Sequence, residues 1–112
     1  MADEKKNDVS VLEPAEVIDE ANVIKLKKPF KNGVDRVVFN WDKVTGFTLT
    51  KCYERAKKKE PAMTIPSTSM VYQAAVAAAA SGLRYDDILS LSGSDFIAVT
   101  IKVQSFLLDT GN

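Results

Sequence analysis

SGSDFIAVTIKVQSFLL, residues 92–108, decides what kind of fold this chain adopts. Ile97, Val99, Ile101 and Val103 alternate with Ala98, Thr100 and Lys102, which is the two-residue period of a strand. The same letters carry a helical reading. Phe96, Val99, Val103 and Phe106 share one helical face, while Ile97, Ile101 and Leu108 share another. Ser92 and Asp95 fit a capping-box variant, with Leu91 and Phe96 spaced as a hydrophobic staple. Seventeen residues is long for a strand and ordinary for a helix. The stretch is therefore expected to be helical. Being apolar on more than one side, such a helix is either deeply buried or half of an oligomer contact.

Working back from it, Arg84 to Leu91 reads as a short helix carrying Ile88, Leu89 and Leu91. Before that, MVYQAAVAAAAS has very high helix propensity and is closed by Gly82, with an alanine face that lets another helix come close. Thr45 or Thr48 can cap an earlier helix through about Lys58, with Phe47, Leu49, Cys52 and Tyr53 supplying apolar contacts. Lys57, Lys58 and Lys59 sit at its carbonyl end, and Glu60-Pro61 stops it. The loop that follows holds Pro66 as a second breaker. Further upstream the period shortens to two. Ile24 and Leu26 alternate with Lys25 and Lys27 up to Pro29. The turn Phe30-Lys31-Asn32-Gly33 then offers an Asn-Gly pair suited to positive φ in a tight hairpin. In Val34 to Trp41, Val37 and Phe39 point to one face with Asp35 and Trp41, and Val38 and Asn40 to the other. The sum is an α+β fold, an N-terminal β-hairpin followed by about four helices, as a single small domain over residues 21–112.

Composition narrows the function. The chain has 112 residues, 46% of them hydrophobic and 27% charged, the mix of an ordinary soluble globular domain. It contains no histidine, which removes His-based triads and mixed Cys/His zinc sites. Cys52 has no partner for a disulfide, which suits a reducing cytosolic compartment, and it is expected to be a small buried hydrophobe. The five glycines are scattered, so none forms a phosphate loop. Ser94 sits in Gly-Ser-Asp, the reverse of the order around a carrier protein's modified serine, and a helix-cap role is expected for it. Asp86 and Asp87 are adjacent on a helix and point about 100° apart, so they do not face each other as an acid and base. No catalytic residue, metal ligand or cofactor site is expected. The chain is not read as an enzyme.

Charge is unevenly spread. Residues 1–20 carry seven acidic and two basic side chains, for −5, whereas residues 21–60 carry eleven basic and four acidic, for +7. The lead lacks an apolar core of the signal-peptide kind and is expected to be disordered or loosely attached, although it could fold back on the basic middle. The longest small or apolar run, Ala74 to Ala80, is too short for a membrane span. Lys25, Lys27, Lys28, Lys31 and Arg36, interleaved with Phe30, Trp41 and Tyr53, could hold phosphates and stack bases. Zero net charge argues against a dedicated nucleic-acid binder, and this reading ranks lowest.

The order of elements resembles a known family. VIKLKKPFKNGVDRVVFNW, residues 23–41, is similar to the opening of small tail assembly proteins of long-tailed phages: a strand ending near Pro, a Gly-bearing turn, a second strand. AAASGLRYDDILSLSGSDFIAVTIKVQSFL, residues 78–107, is similar to their closing pattern, matched at Gly82, Leu83, Ile88, Leu91, Asp95, Phe96, Val103, Phe106 and Leu107. The resemblance covers roughly residues 22–108 and leaves the Lys-rich helix after Trp41 as its least familiar part. It implies a phage or prophage tail assembly chaperone. Such a protein binds the tape-measure protein, keeps it soluble, promotes tail-tube assembly in the host cytoplasm and is absent from the mature virion. The implied partners are the tape-measure and tail-tube proteins and a second copy of the chain. Contact with a client helix or another copy is expected at Phe96, Val99, Val103, Phe106 and Leu107, the competing reading being that all five belong to the chain's own core. The alternative within the same biology is a structural tail or connector component.

Overall fold

The computed structural model describes residues 20–109. The acidic lead expected over residues 1–20 lies outside them apart from Glu20, as do residues 110–112 of the expected domain. An antiparallel hairpin of β1 (Val23–Lys25) and β2 (Arg36–Val38) precedes four helices. These are α1 (Gly46–Lys59), α2 (Met70–Ser81), α3 (Tyr85–Leu89) and α4 (Gly93–Leu108), with single 3-10 turns at Glu20–Asn22, Trp41–Lys43 and Pro66–Thr68. The fold is α+β, and the deciding segment is a helix.

The hairpin differs from the tight one expected. Val23 pairs with Val38, Ile24 with Val37 and Lys25 with Arg36, so each strand contributes three residues. One further bond extends the pairing at each end, Leu26 N–H to the Asp35 carbonyl at 2.7 Å and Phe39 N–H to the Asn22 carbonyl at 2.8 Å. Past Leu26 the ladder cannot continue, because Lys27 and Lys28 give their N–H groups to Asp95 of α4 and Pro29 has none to give. At the tip only Gly33 takes positive φ, at 89°. Asn32 contributes its side chain instead, accepting from Val34 N–H at 3.0 Å while Gly33 N–H donates to the Phe30 carbonyl at 2.9 Å. Leu26, Val37 and Phe39 turn inward as the period-two pattern requires, and all three are buried.

α2 is the hub. Tyr72 through Ala78 and Ala80 are buried, so the helix is enclosed on nearly all sides rather than presenting one alanine face. It packs against α1, α3, α4 and β2. Small side chains allow those neighbours to approach closely, and the size is supplied from outside by Val37, Ile88, Val99 and Val103. Ser69 caps the helix by accepting from Tyr72 N–H at 3.2 Å, and its own hydroxyl is hydrogen-bonded to Glu60. Gly82 closes it in the left-handed region at φ 77°, with its N–H on the Ala78 carbonyl at 2.9 Å. At that end the Asn40 N–H reaches the Ala80 carbonyl at 2.9 Å and ties the hairpin to the hub.

α1 uses both threonines named as possible caps. Thr45 is the N-cap, Thr48 Oγ1 accepts from Thr45 N–H at 3.1 Å, and the return bond closes a capping box. Cys52 and Ala56 are buried and Leu49 packs beside them, but Phe47 is 84% exposed and Tyr53 is also outward. The apolar side of α1 is narrower than its composition suggests.

Candidate partner-binding site on the last helix

The five residues expected to meet a partner lie on the inner side of α4. Val99 and Val103 are fully buried, and Phe96 and Leu107 pack partly buried against the same core. Phe106 stacks on Trp41 with centroids 4.3 Å apart and planes 6° from parallel, and Trp41 stacks in turn with Phe39 at 5.0 Å and 3°. In this fold these side chains face inward, toward α2 and Trp41.

What the helix leaves in water is its other apolar row. Ile97 is 43% exposed, Ile101 56% and Leu108 59%. They recur at intervals of four and seven, so they form one ridge along the outer side. Gln104 and Ser105 lie beside them, half-buried and exposed respectively. Isoleucine is only a middling helix former, so Ile97 and Ile101 are not placed on that side by local preference.

Asp95 fixes the helix against the hairpin, a role that pattern reading missed. Its carboxylate is only 2% exposed and accepts Lys27 N–H at 3.0 and 3.1 Å, Lys28 N–H at 3.1 Å and the Ser92 hydroxyl at 3.0 Å. These bonds, the Lys27 N–H foremost, hold the carboxyl below its ordinary range; burial pushes the other way, and Lys28 N–H, the Ser92 hydroxyl and the Lys27 charge reinforce the lowering. Ser92 is the N-cap, accepting Asp95 N–H at 3.3 Å, so the cap role expected of Ser94 belongs to Ser92, and Ser94 is exposed. The capping box is diverted, since the carboxylate that would return to Ser92 N–H serves the hairpin instead. Its donors lie 67 and 68 residues away in sequence, beyond the reach of local pattern.

Elsewhere the candidate chemistry dissolves into structure. Asp87 accepts Arg84 N–H at 3.0 Å and caps α3. Cys52 is buried and its thiol is pushed up by burial, with Arg55 acting in the opposite direction. Of the aromatic residues set among the hairpin cations, Trp41 is engaged in the ring stack and gives its Nε1–H to Asn22 at 3.0 Å, while Phe30 packs on the core. A shallow cleft between α1 and α3 is lined by Lys51, Arg55, Lys58 and Lys59 beside Glu54 and Asp86. Its floor is Tyr85, with the Arg55 guanidinium 4.6 Å and Lys59 Nζ 5.7 Å from the ring centroid. Among the described residues no three His, Cys, Asp or Glu side chains gather as a metal site, and no helix is long and apolar enough to cross a membrane. Set against family models, curated proteins and solved structures, the chain matches none.

Proposed function

We propose that this chain is a non-catalytic tail assembly chaperone of a long-tailed phage or prophage. It binds the tape-measure protein, keeps it soluble and promotes tail-tube assembly in the cytoplasm of the host. The resemblance over residues 22–108 motivates this reading, and the exposed ridge of Ile97, Ile101 and Leu108 carries it. A long helical client presents apolar residues along one side, and a straight apolar row on a well-anchored helix is a surface such a client can lie against. Asp95 and the Trp41 stack hold the two ends of α4, so the row is presented on a fixed support.

The test is co-expression with the tape-measure protein encoded in the same genome. The wild-type chain is expected to raise the client's soluble yield several-fold, and Ile101→Asp with Leu108→Asp to abolish the gain while helical circular dichroism is retained. No gain with the wild type, or an equal gain with the variant, overturns the reading. Recovery of the chain in purified, complete particles would favour the structural tail or connector component instead.

A further inference from the structure

We propose that the cleft between α1 and α3 docks an acidic segment of a partner protein, an extended run in which carboxylates alternate with apolar or small residues. The site uses none of the α4 ridge and does not depend on the tail assembly reading. Lys51, Arg55, Lys58 and Lys59 recur at helical spacing, so α1 presents them on one face, and all four are exposed. Among the described residues none of them has an ion-pair partner. Lys57, by contrast, is used within the fold, its Nζ donating to the Met63 carbonyl at 3.0 Å. The helix dipole accounts for Lys58 and Lys59 in the last turn of α1, but not for Lys51 and Arg55, which lie before it. Like charges four residues apart, Lys51 with Arg55 and Arg55 with Lys59, oppose the helix that carries them. A negative group laid across them removes that repulsion.

The charges are also aimed. The Arg55 guanidinium stands 4.6 Å and Lys59 Nζ 5.7 Å from the centroid of the half-buried Tyr85 ring, so α3 draws both toward the cleft. From Lys51 to Lys59 the row runs roughly 12 Å at the helical rise. Alternate side chains of an extended chain stand about 7 Å apart, so carboxylates at every second position match the row. Leu89, 49% exposed on the α3 wall, is a seat for an intervening apolar side chain. A shallow cleft of about 570 Å³ suits a chain laid across it better than a small molecule enclosed in it.

A nucleic acid fits less well. Glu54 and Asp86 also line the cleft and repel a phosphodiester backbone, whereas a peptide can give them its N–H groups. Arg55 already takes a face of Tyr85 on which a base would stack.

Fluorescence anisotropy with the full chain tests the site. The probe is a labelled peptide of three Glu-Leu-Glu-Ser repeats, and a labelled oligothymidylate of equal charge represents the competing class. The peptide should bind at low salt and several-fold more weakly at about 0.15 M. Arg55→Glu with Lys58→Glu should weaken it at least about tenfold, and Arg55→Gln with Lys58→Gln by a smaller factor. Lys25→Glu with Lys31→Glu makes the same change of charge at exposed positions of the hairpin, and should stay within about twofold of wild type. The altered side chains are all exposed, so each variant should keep the wild-type circular dichroism and melting temperature. Failure of the peptide to bind the wild type at low salt, equal losses in the two charge-reversed pairs, or tighter binding of the oligothymidylate overturns the proposal.

Discussion

A charged side chain buried at the junction of two elements must have its charge answered there, and at Asp95 the answer comes from the backbone of residues 27 and 28. A carboxylate has two oxygens that only accept, which suits three converging donors. An amide at this position has one accepting oxygen and turns its NH₂ toward the N–H groups of the hairpin. Asp95→Asn is therefore expected to lower the melting temperature at pH 7 and loosen the hairpin without unwinding α4. The pH dependence has a defined sign. Because the native carboxyl titrates below the ordinary value of 3.8, its contribution is complete above that value and is lost as pH falls through the lowered native one. The gap between wild type and Asp95→Asn should shrink as pH falls below 3.8, as followed by thermal melts at successively lower pH. A gap that stays constant with pH would contradict this account.

At the scale of the element, α2 shows why a helix of small residues can be the centre of a domain. Each alanine removes little apolar surface from water, but it also brings a neighbouring helix near enough for larger residues to fill the space. Ala77→Leu is expected to cost roughly 1–3 kcal/mol in chemical denaturation, since Ala77 is fully enclosed and extra methyl groups must displace neighbours. Gly82→Ala should cost about 1 kcal/mol by the same measurement. There the space is open, since the added methyl would lie an ordinary 3.7 Å from Lys43 Nζ, and the penalty is the left-handed backbone alone. Element boundaries in this part of the chain were legible at Thr45 and Gly82, caps whose chemistry is local, and at Pro61 and Pro66, which interrupt where they must; the Ser69 cap of α2 was not read. The hairpin was legible in position but not in length. Its ladder is cut short by an acceptor 68 residues away in sequence, which no local pattern announces.

Over the whole molecule the same residue type has opposite consequences depending on which side of an element it occupies. Ile88 is fully buried, and Ile88→Ala is expected to cost about 2–5 kcal/mol. Ile101→Ala should stay within about 0.5 kcal/mol in the same assay. Two apolar rows on α4 are visible in residues 92–108, but sequence periodicity does not say which row faces inward. That is set by Asp95 reaching Lys27 and Lys28 and by Phe106 reaching Trp41, contacts between the two ends of the chain. Periodicity alone places the partner surface on the row that packs on the core, and the row left outside becomes the candidate.

Those contacts also bear on the order in which a newly made chain can settle. Synthesis runs from the N-terminus, so the strands leave the ribosome first while the carboxylate that receives Lys27 and Lys28 N–H emerges 68 residues later. Until then the hairpin has an open end, and Trp41 has Phe39 on one face but lacks Phe106 on the other. A chain truncated after Leu91 should show rapid amide exchange at Lys27 and Lys28 and a red-shifted, solvent-like emission from its single tryptophan. The hairpin, translated before the four helices, is thus the last of these elements to be locked, and the release of α4 completes it.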